Sequence, residues 1–148
     1  MKIVKYAIIA LVAILILIQL FPGEKPETSQ ENPGDIHNEV LIDPLVSDIL
    51  KKACYDCHSN ETKYPWYASV APVSWLVIHD VEEGRGELNF SEWATFSAKR
   101  KNHKLEEIAE EVEEGEMPMK IYTFTHEEAR LSEEETEKLI NWALKLKE

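Results

Sequence analysis

Residues 54–58 read Cys-Tyr-Asp-Cys-His, and the ten residues before them, PLVSDILKKA (44–53), carry a single apolar face. Val46, Ile49, Leu50 and Ala53 recur at i, i+3, i+4 and i+7, the spacing that puts side chains on one side of an α-helix. Asp43 is a capping residue type, and Pro44 suits a first helical position. The helix therefore runs its apolar face straight into Cys54. Two thiols three residues apart, with an imidazole directly after, make the C-x-x-C-H attachment sequence of c-type haem. Thiols one helical turn apart can each add to a vinyl group on the same porphyrin edge, and the imidazole that follows can ligate the iron. The expectation is one haem c per chain, attached through Cys54 and Cys57, with His58 on the iron.

Other uses of a cysteine pair fit less well. A thioredoxin-like redox pair sits at a βα junction, and no strand pattern precedes Cys54. A structural zinc site needs two further ligands, and the chain has no second cysteine pair and no closely spaced histidine pair. With two cysteines in all, a multi-disulfide scaffold is excluded.

Outward from the motif the patterning stays helical. A second helix is expected from Pro72, holding Trp75, Leu76, Ile78 and His79 and stopping near Gly84. Ser91 is a candidate cap for a short turn with Trp93 and Phe96. Leu105, Ile108, Ala109 and Val112 repeat the i, i+3, i+4, i+7 spacing, and Gly115 closes that helix. Ser132 and Glu135 form a capping box ahead of Leu139, Ile140, Trp142, Ala143 and Leu146. Strand alternation is missing. The reading is an all-α domain over residues 44–148, about 105 residues with four to five short helices and long loops, whose core is completed by something besides apolar side chains.

The charge is unevenly spread. The chain carries 16 Lys+Arg against 28 Asp+Glu, a net charge of −12. All the acidic residues lie at or after Glu24, so the chain from there carries −14 and the start, with Lys2 and Lys5, +2. So acidic a chain is unsuited to nucleic acid, whose phosphates are held by Lys and Arg. From Tyr6 to Gly23 there is no charge, and Gln19 is the one polar side chain in AIIALVAILILIQLF (7–21). That length matches a hydrocarbon layer of about 30 Å. The run ends in Gln19-Leu20-Phe21-Pro22-Gly23, without the small residues of a cleavage site, which favours a retained anchor over residues 1–22 with membrane contact through 3–21. By the positive-inside rule Lys2 and Lys5 stay in the cytoplasm and the rest faces outward. Residues 23–43, with Pro26, Pro33, Gly34 and many polar residues, read as a flexible linker.

An iron held by His58 has one more axial position. Met117, followed by Pro118 just past a helix end, suits a rigid ligand loop; Met119 and His79 are the alternatives. Arg85 is a candidate partner for a haem propionate. Pro65 or Pro72 could offer a carbonyl to His58 Nδ1. Trp66, Tyr67 and Trp75 are candidate haem-packing aromatics or ordinary core. His37, His103 and His126 are expected in solvent.

The stretches CYDCHSNETKYPWY (54–67), APVSWL (71–76), DVEEGR (80–85), LNFSEW (88–93), GEMP (115–118) and LSEEETEKLINWA (131–143) together resemble the small bacterial haem-binding domain family, whose members carry C-x-x-C-H behind an N-terminal membrane segment. The resemblance covers nearly all of 44–148. It implies a covalent haem c, a cytochrome c-like helical fold and a periplasmic setting. Gly-x-Met-Pro and the final Leu-Ser…Trp-Ala are also similar to the end of ordinary cytochromes c, where the methionine before proline ligates iron; this raises Met117 over His79. Met119 stands where a second proline is expected. The functional expectation is a single-electron carrier, not an enzyme, at the bacterial inner membrane: single-pass, its C-terminal domain in the periplasm, its redox partner bearing a basic docking surface. The alternatives are a haem-based redox or gas sensor, or an accessory haem subunit of a larger membrane complex.

Overall fold

The computed structural model describes residues 2–147. Met1 and Glu148, the outer ends of the expected anchor and domain, lie outside the described residues. Among the described residues there are helices and turns but no strand. The long apolar helix α1 (Lys2–Leu17) continues as a 3₁₀ turn to Leu20 and buries none of its residues. Helix α2 (Ile36–Glu39) is a single turn capped by Asp35. Helix α3 (Pro44–Ala53) is capped by the Asp43 side chain, which accepts from Leu45 N, and it buries Val46, Ile49, Leu50 and Ala53 as its spacing predicts. It breaks at Cys54, and α4 (Tyr55–His58) follows immediately in a new direction.

Helix α5 (Val73–Glu87) runs one turn past Gly84, the expected stop. Its buried residues are Ser74, Ile78, Val81 and Gly84 rather than Trp75 and Leu76. At Gly84 that stripe has no side chain because the α4 backbone packs against it there. The turn at Phe90–Thr95 is capped by Asn89, whose side chain accepts from Ser91 N, and it places Trp93 and Phe90 deep in the core. Helix α6 (Ala98–Glu113) is capped by Ser97 and ends ahead of Gly115, whose φ is +72°. Helix α7 (Lys120–Thr125) is short, with no apolar period. Helix α8 (Glu133–Leu146) starts at the Ser132–Glu135 capping box and buries Leu139 and Ala143 against α6 and α3.

One core holds these elements together. It joins Val46, Ile49 and Leu50 of α3 with Phe90, Trp93 and Phe96, with Leu105, Ala109 and Val112 of α6, and with Leu139 and Ala143 of α8. Ile36 belongs to the same core and is fully buried. This corrects the expectation of a flexible linker over 23–43. The segment is a strap bound along the domain. Ser29 N donates to Asn60 O (2.8 Å), Tyr64 donates its hydroxyl to Pro26 O (3.0 Å), and Ala94 N donates to Gly34 O (2.9 Å). Asp35, buried, accepts the Tyr55 hydroxyl on both carboxylate oxygens. The strap lacks a hydropathy period because its backbone, rather than an apolar face, makes most of these ties. His37 is likewise not a solvated residue: its ring bonds Asp35, Tyr55 and Ser47.

Candidate functional site

Cys54, Cys57 and His58 open on one cavity of about 350 Å³ enclosed by α4, α5, α6 and the 115–122 segment. Its apolar lining comes from Ala53, Leu88, Phe90, Ile108, Val112, Met117, Pro118 and Met119. Asp80, Glu83, Glu87, Glu107 and Glu111 also border it, with Lys104 the single cation among its lining residues.

The position of His58 follows from a glycine. A Cβ added at Gly84 would lie 2.7 Å from Cys57 O and 3.1 Å from Cys57 Cβ, so α5 touches the α4 backbone there. This contact brings the C-terminal turn of α5 to the imidazole. His58 Nδ1 lies 2.9 Å from Gly84 O and 3.0 Å from Leu88 O. Both partners are acceptors, so Nδ1 carries the proton and Nε2 keeps its lone pair, the tautomer a metal ligand needs. Burial pushes the His58 pKa below its ordinary value, with the two carbonyls acting in the opposite direction. The ring is thereby held neutral. The carbonyls that accept from His58 Nδ1 belong to Gly84 and Leu88, not to Pro65 or Pro72.

The two cysteines are free thiols here. Burial pushes each pKa up to about 12, helped at Cys54 by Cys57 and at Cys57 by Asp80 and Asp56. Redox and nucleophilic cysteines have lowered values, so this environment disfavours thiol–disulfide exchange. Among the described residues no group of three or more His, Cys, Asp or Glu side chains gathers as a metal cage. What is gathered is two thiols, one oriented imidazole and two thioethers around an apolar space, and this donor set fits a haem.

Several expected site residues stand elsewhere. Arg85 is consumed by the strap and the loop after α4: Nε donates to Ser59 O (2.8 Å), Nη1 to Glu27 O (2.8 Å) and Nη2 to Thr62 Oγ1 (2.9 Å). The cation beside the cavity is Lys104, only 9% exposed, paired with Glu87 and Glu107. It was hidden because a lysine on a polar helix reads as surface. His79 is largely exposed, pairs with Glu83 one turn on, and does not line the cavity. Trp66 and Trp75 do not line it either; Trp75 donates Nε1 to Phe21 O (2.6 Å). The aromatic rings at the cavity are Phe90 and Tyr122. Tyr122 donates to Asp56 Oδ2 (2.8 Å), inside the C-x-x-C-H motif, and stacks on His126 at 4.2 Å. His103 is exposed and pairs with Glu107.

Comparison with curated proteins and with solved structures gives no match. A family model described as "Haem-binding domain" matches residues 13–145, which includes the strap, the motif and every helix of the domain. The protein is a haem-binding protein, and the chain belongs to the haem-binding domain family.

Proposed function

We propose that the chain is a membrane-anchored monohaem c-type cytochrome that passes single electrons and catalyses no reaction of its own. The observation that carries this reading is the opening of C-x-x-C-H, with a fixed His58 tautomer, onto an apolar cavity that Met117 also lines. A bound haem would supply a one-electron iron couple. Cys54 and Cys57 would hold it by thioethers, and His58 would offer Nε2. Met117 would offer a thioether sulfur, which raises a potential relative to a second histidine. Met119 lines the same cavity and is the alternative. Lys104 replaces Arg85 as the candidate partner for a propionate.

Helix Lys2–Leu20 is long and apolar enough to cross a membrane. With Lys2 and Lys5 at its N-terminal end, the positive-inside rule puts the domain in the periplasm of a bacterium, on the outer side of the inner membrane. The −14 charge after Glu24 and the acidic rim of the cavity suit a partner with a basic docking surface, with association slowing as salt rises.

The test is mass spectrometry of the full chain made with c-type maturation, which should show one haem bound covalently. Met117→Ala should lower the midpoint potential and alter the reduced spectrum, and Met119→Ala should change neither. A haem-free chain refutes the reading. An effect of Met119→Ala alone moves the ligand to Met119. Ready carbon monoxide binding by the wild-type protein replaces the electron carrier with a sensor.

A further inference from the structure

The end of the apolar helix is tied to the domain. The Gln19 amide donates through Nε2 to Ala71 O (2.8 Å) and accepts from Ala71 N on Oε1 (3.1 Å). Two residues on, Phe21 O accepts from Trp75 Nε1. The helix Lys2–Leu20 is about 28 Å long at 1.5 Å per residue, so Gln19 stands where a hydrocarbon layer of about 30 Å gives way to headgroups. Whatever surrounds Ala71 is at that depth.

What surrounds it is apolar and uncovered. Val70 and Val73 flank the tie at 40% and 43% exposure, and Leu76, one turn beyond Val73 on the same face of α5, is 43% exposed. Trp66, on the turn packed against α5, is 80% exposed, and Phe21 72%. Tryptophan beside aliphatic side chains at headgroup depth is the composition of a membrane-interface belt. Lys25 lies beside it, bonded to Ser69 Oγ (2.8 Å), where its ammonium can meet anionic lipid.

We infer that the Trp66–Leu76 face is seated on the lipid surface, so that the domain rides on the membrane in one orientation instead of swinging on a tether. This rests on the membrane-spanning reading of α1. The occupant is the bilayer, because the spanning helix is itself hydrogen-bonded to this face, through Gln19 to Ala71 and through Phe21 to Trp75.

The test uses the full chain with its haem in vesicles of phosphatidylcholine and phosphatidylglycerol. The photoreactive benzoylphenylalanine replaces Trp66, Leu76 or, as control, the exposed Glu137 of α8. After illumination, mass spectrometry should find lipid adducts at 66 and 76 and none at 137. If the chain floats with the vesicles but yields no adduct at 66 and 76, the seated face is overturned and the anchor stands. If the chain does not float with the vesicles, the spanning reading itself fails.

Discussion

Gly84→Ala sets two rules against each other. In a helix interior alanine is favoured over glycine by about 1 kcal/mol, so propensity predicts a more stable protein. At Gly84 the new methyl would stand 2.7 Å from Cys57 O, inside the 3.0 Å that real Cβ contacts do not cross, and ordinary contact begins at 3.4 Å. The obstacle is backbone, so no rotamer change relieves it. Either α5 or α4 must retreat by several tenths of an ångström. That retreat carries Gly84 O and Leu88 O away from His58 Nδ1, now at 2.9 and 3.0 Å. Overpacking of this kind costs about 1–3 kcal/mol, and a weakened hydrogen bond adds roughly 0.5–1.5 kcal/mol. The net expectation is a loss of about 1–3 kcal/mol in urea unfolding of the haem-loaded protein, with faster haem dissociation or a perturbed axial spectrum. Gly86→Ala is the internal control. It lies on the same helix, and a Cβ there meets nothing within 4 Å. It should leave the spectrum unchanged and stabilise by up to about 1 kcal/mol. If Gly84→Ala is as stable as Gly86→Ala and the spectrum is unmoved, the close α4–α5 contact is wrong, and with it the account of how His58 is oriented.

Other perturbations probe other parts of the structure. Ile36→Ala, in the strap, should cost about 2–5 kcal/mol by urea unfolding, because Ile36 is fully buried in the shared core; a change under 0.5 kcal/mol would restore the flexible linker. Hydrogen bonds from Lys52 and Ser132 hold Glu135 below its ordinary value of 4.5. Its carboxylate therefore stabilises the fold above that value, and the contribution is lost as pH falls through the lowered pKa. Glu135→Gln keeps the capping box but removes the charge facing Lys52, so it should cost roughly 0.2–1 kcal/mol at pH 7 and flatten that acid-side decline in a pH series of unfolding curves. Lys104→Met removes the one cation lining the cavity and takes the ammonium away from Glu87 and Glu107. It should lower the midpoint potential in a spectroelectrochemical titration, and a raised or unchanged potential would place Lys104 outside the electrostatic reach of the haem.

The parts of the fold legible in the sequence are those where burial and period coincide. Helices α3, α6 and α8 bury long aliphatic residues at helical spacing behind an Asp or Ser cap, so both ends and the inward face could be read. Helix α5 defeated the same reasoning. Its inward positions include Ser74, a polar residue, and Gly84, whose value lies in being small beside α4, while its large residues Trp75 and Leu76 point away from the core. Hydropathy counts size and polarity, and here the fold needed the absence of a side chain. The motif Cys54–His58 was legible because its chemistry is local. Lys104 rather than Arg85 borders the cavity because Arg85 is turned to Ser59, Glu27 and Thr62 while Lys104 reaches Glu87, a tertiary placement that no local spacing records. Tyr122 had no signal at all: α7 is one short turn-and-a-half without a period, held by hydrogen bonds from Tyr67 to Thr125, from Arg130 to Thr123 O and from Tyr122 to Asp56.

That bond has a partner on the other side of the cavity. Met117 N donates to Glu111 O on α6 (3.1 Å), and Tyr122 donates to Asp56 on α4. The methionine segment is therefore a short span pinned at both banks, five residues from one pin to the next. A loop so fixed has already lost most of the conformational entropy that a free loop would surrender on closing. As the proposed iron ligand, Met117 would offer a thioether already held in place rather than recruited. The same rigidity makes the span a ruler: a residue inserted between 117 and 122 has no slack to enter, and must either unfasten Tyr122 from the motif or carry the methionine out of the cavity.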